Sequence, residues 1–178
     1  FQSGRFPNTR LGVEATLQRA FLEAWDYRQR REAHVQRVIA DGPEKAPRLA
    51  PRRDLRLEAL ADILDQKKFI HSHCYRNDEI LMLLRVASGF GIRIWSLQHV
   101  LEGYKVGPEI AAHGASASLF SDWWAYKHEA YDAIPYAPKL MLDAGVSVCL
   151  KSDDAELMRH LYQDAAKTLR YGVDSPEV

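Results

Sequence analysis

The sequence predicts an α/β chain in which four consecutive strand–helix units of a parallel sheet follow one long amphipathic helix. Three observations carry this. Apolar residues recur at spacings near 3.6 through Leu11, Leu17, Phe21, Trp25, Val35 and Ile39. From Leu55 onward, short apolar runs alternate with helical patterns. Each run also gathers its polar residues at its C-terminal end, the edge where parallel sheets bind ligands.

The first helix starts at Asn8 or Thr9, either of which can cap it, and stops at Asp41-Gly42-Pro43. Pro43 to Arg53 then reads as a solvated connector, three prolines among four cations. Arg48, Arg52, Arg53 and Arg56 have no interleaved aromatic, so a charged loop is favoured over an anion site. Leu55 to Asp65 is an amphipathic helix, and Lys68 to Cys74 is the first strand. A helix capped by Asn77 or Asp78 follows and ends at Gly89 and Gly91. Ile92 to Val100 is a strand, Gly103 to His113 helical, and Ala115 to Phe120 a strand of small residues. Ile134 to Ala144 is a helix, Val146 to Leu150 the last strand, and Ala155 to Tyr171 a strongly apolar helix. Two segments are expected, residues 1–54 and residues 55–178.

Composition narrows the function classes. At 178 residues, 47% hydrophobic and 27% charged, with four Trp, eight Tyr and six Phe, the chain has the apolar surface that a folded core needs. Lys plus Arg (24) equals Asp plus Glu (24), so no overall basic field recruits nucleic acid. No apolar run approaches the roughly 20 residues that span a bilayer, so no membrane partner is expected. Phe1 to Gly4 has no signal-peptide pattern, and a cytoplasmic location is the default expectation. Phe1 to Ser3 match the tail of a protease-cleavage tag, and the chain reads as cut from something longer. Cys74 and Cys149 are too few for a zinc ribbon or a disulfide framework; both are expected to be buried, inert thiols.

The residues suited to chemistry are His71 and His73, His99, and Asp153, at the ends of three different strands. Imidazole and carboxylate are zinc-compatible ligands, and zinc with an open position makes bound water acidic near neutral pH. Asp153 could hold the ion and also take a proton from attacking water. A lone histidine at a strand end is more often a cap than a ligand; the agreement of three strand ends favours a site. No glycine-rich phosphate loop follows any strand, which weighs against a nucleotide-binding sheet. His34, His113, His128 and His160 read as structural. Trp123, Trp124, Tyr126, Tyr131 and Tyr136 either wall a substrate pocket or pack.

The segments Ile70-His71-Ser72-His73, Gln98-His99-Val100-Leu101-Glu102-Gly103-Tyr104-Lys105 and Lys151-Ser152-Asp153-Asp154-Ala155-Glu156 resemble the later barrel strands of the metal-dependent amidohydrolase superfamily. The branch they look most like is the imidazolonepropionase-like one, with its prolidase-like members. Ser118 to Lys127 and Glu129 to Tyr136 are similar to the same group in wording and order. The resemblance implies a (βα)8 TIM-barrel type, with this chain supplying roughly strands five to eight and their helices behind the long helix. It implies His71, His99 and Asp153 as metal ligands, Asp153 also as general base, and His73 and Lys105 beside substrate. Lys105 is as readily read as a solvated helix residue. The implied cofactor is zinc, one or two divalent ions in the complete barrel, and the implied reaction is hydrolysis of an amide, peptide-like or cyclic amide C–N bond.

Two departures qualify this. No His-x-His precedes His71, and a full barrel takes about 250 residues. Lys151 puts a cation beside the metal aspartate, where it competes with an ion. The competing expectation is therefore a non-catalytic partial barrel. It would associate through exposed sheet edges, as a homo-oligomer or by pairing with the missing barrel half.

Overall fold

The computed structural model describes residues 4–42, 44–45 and 49–174. The expectations on Phe1 to Ser3, Pro43 and Arg48 lie outside the described residues. The chain divides into two compact units, residues 1–68 with 90–92 and residues 69–89 with 93–178.

The first unit is a pair of helices, α1 (Arg10–Asp41) and α2 (Leu55–Leu64). The Thr9 side chain accepts the Gly12 amide at the start of α1, and Asp54 accepts the Leu57 amide at the start of α2. Each such cap contributes about 1 kcal/mol by satisfying an amide the helix leaves open. Gly42 ends α1 at φ 80°, a conformation that costs glycine little. Ala24, Tyr27 and Leu57 form the buried seam, with Leu60 and Leu64 packed against it. The amphipathic helix expected at Leu55 to Asp65 packs its apolar stripe on that of α1. The Arg53 Nε donates to both carboxylate oxygens of Glu58, and Arg56 pairs with Glu23 at 2.7 Å. These two cations are therefore part of a surface ion-pair network.

The second unit is a four-stranded parallel sheet in the order β1 (Ile70–Cys74), β2 (Ile94–His99), β3 (Ser116–Leu119), β4 (Val148–Leu150). Between strands run α3 (Asn77–Gly89), a 3-10 turn at Gly103–Val106 leading into α4 (Gly107–His113), and α5 (Ala137–Asp143). The helix expected from Ile134 begins three residues later, with Pro138 in its first turn, where the missing amide costs nothing. Ile80, Ile94, Leu97, Ile110, Leu119 and Met141 are fully buried, each contributing roughly 1.5–3 kcal/mol by leaving water. Gly103 is required where the chain leaves β2: an added Cβ would strike Val100 and crowd Met141.

The last helix departs from expectation. Leu157–His160 is a 3-10 turn and only Leu161–Arg170 is α-helical, α6. Its buried residues are Asp164 and Thr168, while Met158, Tyr162 and Leu169 are exposed. Lys167 explains the polar inner face, since it bridges Asp164 and Asp122. Among the described residues, no helix is long and apolar enough to cross a membrane.

Candidate functional site

The C-terminal ends of β1, β2 and β4 bring His73, His99 and Asp153 together. β1 alternates, so His71 and His73 share its exposed face while Cys74 is buried. The parallel register sets His71 beside Ser96, His73 beside Gln98 and Cys74 beside His99. His99 and Val100 then both take positive φ, 73° and 45°. That conformation is costly for side chains with a Cβ, most of all for β-branched valine. The turn re-aims the imidazole: His73 Nδ1 lies 2.7 Å from His99 Nε2.

On its other side, His99 Nδ1 is 3.3 Å from the Asp153 carboxylate. The approach is out of line for a hydrogen bond, so the buried Nδ1 has no hydrogen-bond partner among the described residues. Asp153, itself at φ 52°, is held from behind by Lys151 at 2.9 Å. Burial and then the Lys151 charge bring the His99 pKa down to about 4, against the opposing pull of Asp153. His99 is therefore a neutral imidazole at neutral pH.

Rings surround this histidine. Tyr75 stacks on it at 4.6 Å between centroids and 6° between planes, and Phe120 stacks at 5.6 Å and 24°. Trp123 continues the run on Phe120 at 4.3 Å, and Tyr126 meets Trp123 edge-on. Trp123 thus packs at the site, while Trp124, Tyr126, Tyr131 and Tyr136 are exposed. Lys127 sits 3.8 Å from the Tyr75 ring centre and Lys151 5.1 Å from that of Phe120.

The remaining expected site residues fall elsewhere. His71, expected as a ligand, is exposed on β1 opposite Ser96; it is His73 that meets His99. The Lys105 ammonium is taken up by Asp132 and by the buried Glu102, and Tyr104 donates to the Asp132 carbonyl. Glu102 in turn accepts the Asn77 amide and side chain, fixing the start of α3. Cys149, expected to be buried, is exposed. Cys74 is buried and its thiol is pushed up to about 12 by burial. Tyr75, Phe120 and Lys127 were not singled out for this site, and only Tyr75 carries a sequence signal, its place directly after the His-x-His-Cys run.

Two zinc-compatible nitrogens thus converge, and a carboxylate lies against the second nitrogen of one of them. The donor chemistry suits zinc. Catalytic zinc sites use three protein ligands, however, and among the described residues no group of three or more His, Cys, Asp or Glu could hold an ion. The third donor, Asp153, faces the nitrogen of His99 that points away from His73.

No protein-family model matches the chain. It is 28% identical over 173 residues to a protein from Hapsidospora irregularis named amidohydrolase tasK, a match covering 94% of this chain and 17% of that protein. It also superposes on the crystal structure of an amidohydrolase from Thermotoga maritima MSB8 with a TM-score of 0.78, at 23% identity, over 97% of this chain and 43% of that one. The chain therefore spans less than half the length of either. The fold is α/β with a parallel sheet, like that of the solved amidohydrolase, and the two likenesses together support the amidohydrolase superfamily without singling out a branch.

Proposed function

We propose that this chain is the later part of an amidohydrolase barrel, contributing His73, His99 and Asp153 to a zinc-dependent site that hydrolyses a C–N bond in an amide, peptide-like or cyclic amide substrate. The observation that carries the reading is the approach of His73 Nδ1 to His99 Nε2 at the C-terminal edge of the sheet. The contact is a hydrogen bond in which one neutral ring donates and the other accepts, and it brings two zinc-compatible ring nitrogens together at neighbouring strand ends.

When bound, zinc would supply Lewis acidity toward the substrate carbonyl. The chain's own residues have the following parts. His73 and His99 offer ring nitrogens, and both must present lone pairs for an ion to bind; burial keeps His99 neutral for that purpose. Asp153, half exposed beside His99, is placed to accept a proton from attacking water and pass it to the leaving nitrogen. Lys151 holds that carboxylate in place. His71, on the open face of β1, and Lys105, locked in ion pairs, are the weaker candidates for direct contact.

Zinc titration by calorimetry tests this, on the wild-type chain and on His73→Ala and His99→Ala. Saturable uptake lost in both variants supports the reading; a wild-type chain that takes up no zinc overturns its metal half. Release of amine from N-acyl and dipeptide amides, measured in parallel, tests the reaction.

A second reading is favoured by the outer strands and by α6. Among the described residues β1 and β4 each pair with a strand on one side only, and Met158, Tyr162 and Leu169 are exposed. Unpaired edges and exposed apolar stripes invite association, so the chain would be a non-catalytic partial barrel that self-associates or pairs with the rest of a barrel. Light scattering that shows a strict monomer at high concentration would count against it.

A further inference from the structure

The lysines around the sheet's C-terminal edge are not equally satisfied. Lys105, Lys151 and Lys167 each close on a carboxylate at 2.9 Å or less, that of Asp132, Asp153 and Asp122 respectively. Lys127 has one ion pair among the described residues, with Glu129 at 4.0 Å. An exposed pair at that separation stabilises little, so this ammonium keeps its charge for another partner. It is nevertheless held in place. The Lys127 carbonyl accepts the Ala130 amide at 3.0 Å, and the Ala130 carbonyl accepts the Ala125 amide at 2.9 Å, which closes the loop on itself. Ala130 is buried with Leu101 and Phe120, and Tyr75 and Trp123 pack on that cluster. The Lys127 ammonium lies 3.8 Å from the Tyr75 ring centre and 5.3 Å from that of Tyr126, within cation–π range. Its side chain stays 35% exposed. A cation on an aromatic floor is poorly hydrated on that side, and a charge-assisted hydrogen bond made there is stronger than one in open water. The same Tyr75 ring stacks on His99, so the cation borders the histidine pair.

We infer that Lys127, seated on Tyr75 and Tyr126, is a binding site for a carboxylate group, so that the preferred amide substrate carries a free carboxylate. The substrate half of this statement rests on the hydrolytic reading given above; the carboxylate site itself needs neither metal nor reaction. Lys105, the cation expected beside substrate, is taken up by Asp132 and Glu102, and Lys127 takes that part instead. Lysine suits it as a point charge that meets a carboxylate from several directions. The Tyr126 ring, half exposed beside the ammonium, offers apolar surface to the body of the same ligand.

N-acetyl-leucine and N-acetyl-leucinamide differ only in ending on a carboxylate or on a neutral amide, and NMR titration of the Tyr75 ring signals follows the binding of each to the metal-free chain. Wild type should bind the carboxylate probe roughly 3- to 10-fold more tightly than the amide, between the worth of an exposed ion pair and that of a charge-assisted hydrogen bond. Lys127→Met should erase the preference and Lys127→Arg should keep most of it. Glu129→Gln should enlarge it, because the carboxylate that competes for the ammonium is gone; a purely structural lysine would show no such gain. Equal binding of the two probes by wild type, binding of neither, or a preference that survives Lys127→Met overturns the site. Amine release from the same two probes is scored separately. A Lys127-dependent preference without amine release leaves the carboxylate site standing and counts against the hydrolytic reading alone, whereas amine release at equal rates from both probes supports hydrolysis and overturns the site.

Discussion

His73 Nδ1 and His99 Nε2 face each other at 2.7 Å across the ends of adjacent parallel strands, while His71, two residues earlier on the same face of β1, stands opposite Ser96. The histidine pair is therefore selected by the turn after β2. Strand alternation by itself puts His71 and His73 on equal terms.

Replacing the two β1 histidines one at a time should separate them. His73→Ala is expected to lower zinc affinity by more than the roughly tenfold that losing a supporting hydrogen bond costs, and His71→Ala to change it by less than about twofold. Calorimetric titration of both variants is the measurement. Equal losses would put His71 back in the ligand set.

Lys151 and Asp153 act on His99 with opposite signs, and the metal-free chain should show it. Removing the ammonium in Lys151→Met favours the imidazolium and raises the His99 pKa from about 4; removing the carboxylate charge in Asp153→Asn lowers it further. NMR titration of the His99 ring protons gives both midpoints. Shifts of the same sign in the two variants would contradict the geometry.

The two thiols should differ sharply in reactivity. Cys149 is exposed, whereas Cys74 is buried with its thiol pushed up to about 12, and the thiolate is the reactive form. A thiol reagent should modify Cys149 in the folded chain and reach Cys74 only with denaturant. Mass mapping of the labelled peptides decides it, and labelling of Cys74 in the folded chain would show that the edge strand opens readily.

Acid should destabilise the second unit through His113. Its Nε2 accepts the Ile94 amide at 2.9 Å, so the ring must be neutral there, and burial, then Arg93, lowers its pKa below the ordinary 6.5. A histidine with a folded pKa below its unfolded one leaves the unfolded chain binding more protons in between. Stability is then intact above about 6.5 and falls as pH drops toward the lowered value. Urea unfolding midpoints between about pH 7.5 and 5 should decline, and decline less in His113→Gln. An identical slope in both proteins would assign the acid sensitivity elsewhere.

Much of the architecture was legible in local chemistry. The helical period of Leu11 to Ile39, the cap at Thr9, and the small-residue and apolar runs of the four strands each depend on neighbours close in sequence, which is the range over which periodicity and capping act. The strand ends carrying His73, His99 and Asp153 were legible for the same reason. Two elements were not. Leu55 to Leu64 has an apolar stripe that would suit the sheet or the long helix equally, and only packing chose α1. α6 has an apolar stripe that periodicity assigns to the core, yet its inner face is polar, because Lys167 joins Asp164 to Asp122 from a distant part of the chain.

The choice of His73 over His71, and the Tyr75 ring lying on His99, also required the tertiary structure. Both follow from two consecutive left-handed residues, His99 and Val100, neither of them a glycine that would announce such a turn. The sequence by itself determined the order of strands and helices and the residue types at the sheet's C-terminal edge, since these are set by local pattern. Which of those side chains meet, in which orientation, was decided by backbone turns held in place through long-range packing and hydrogen bonds.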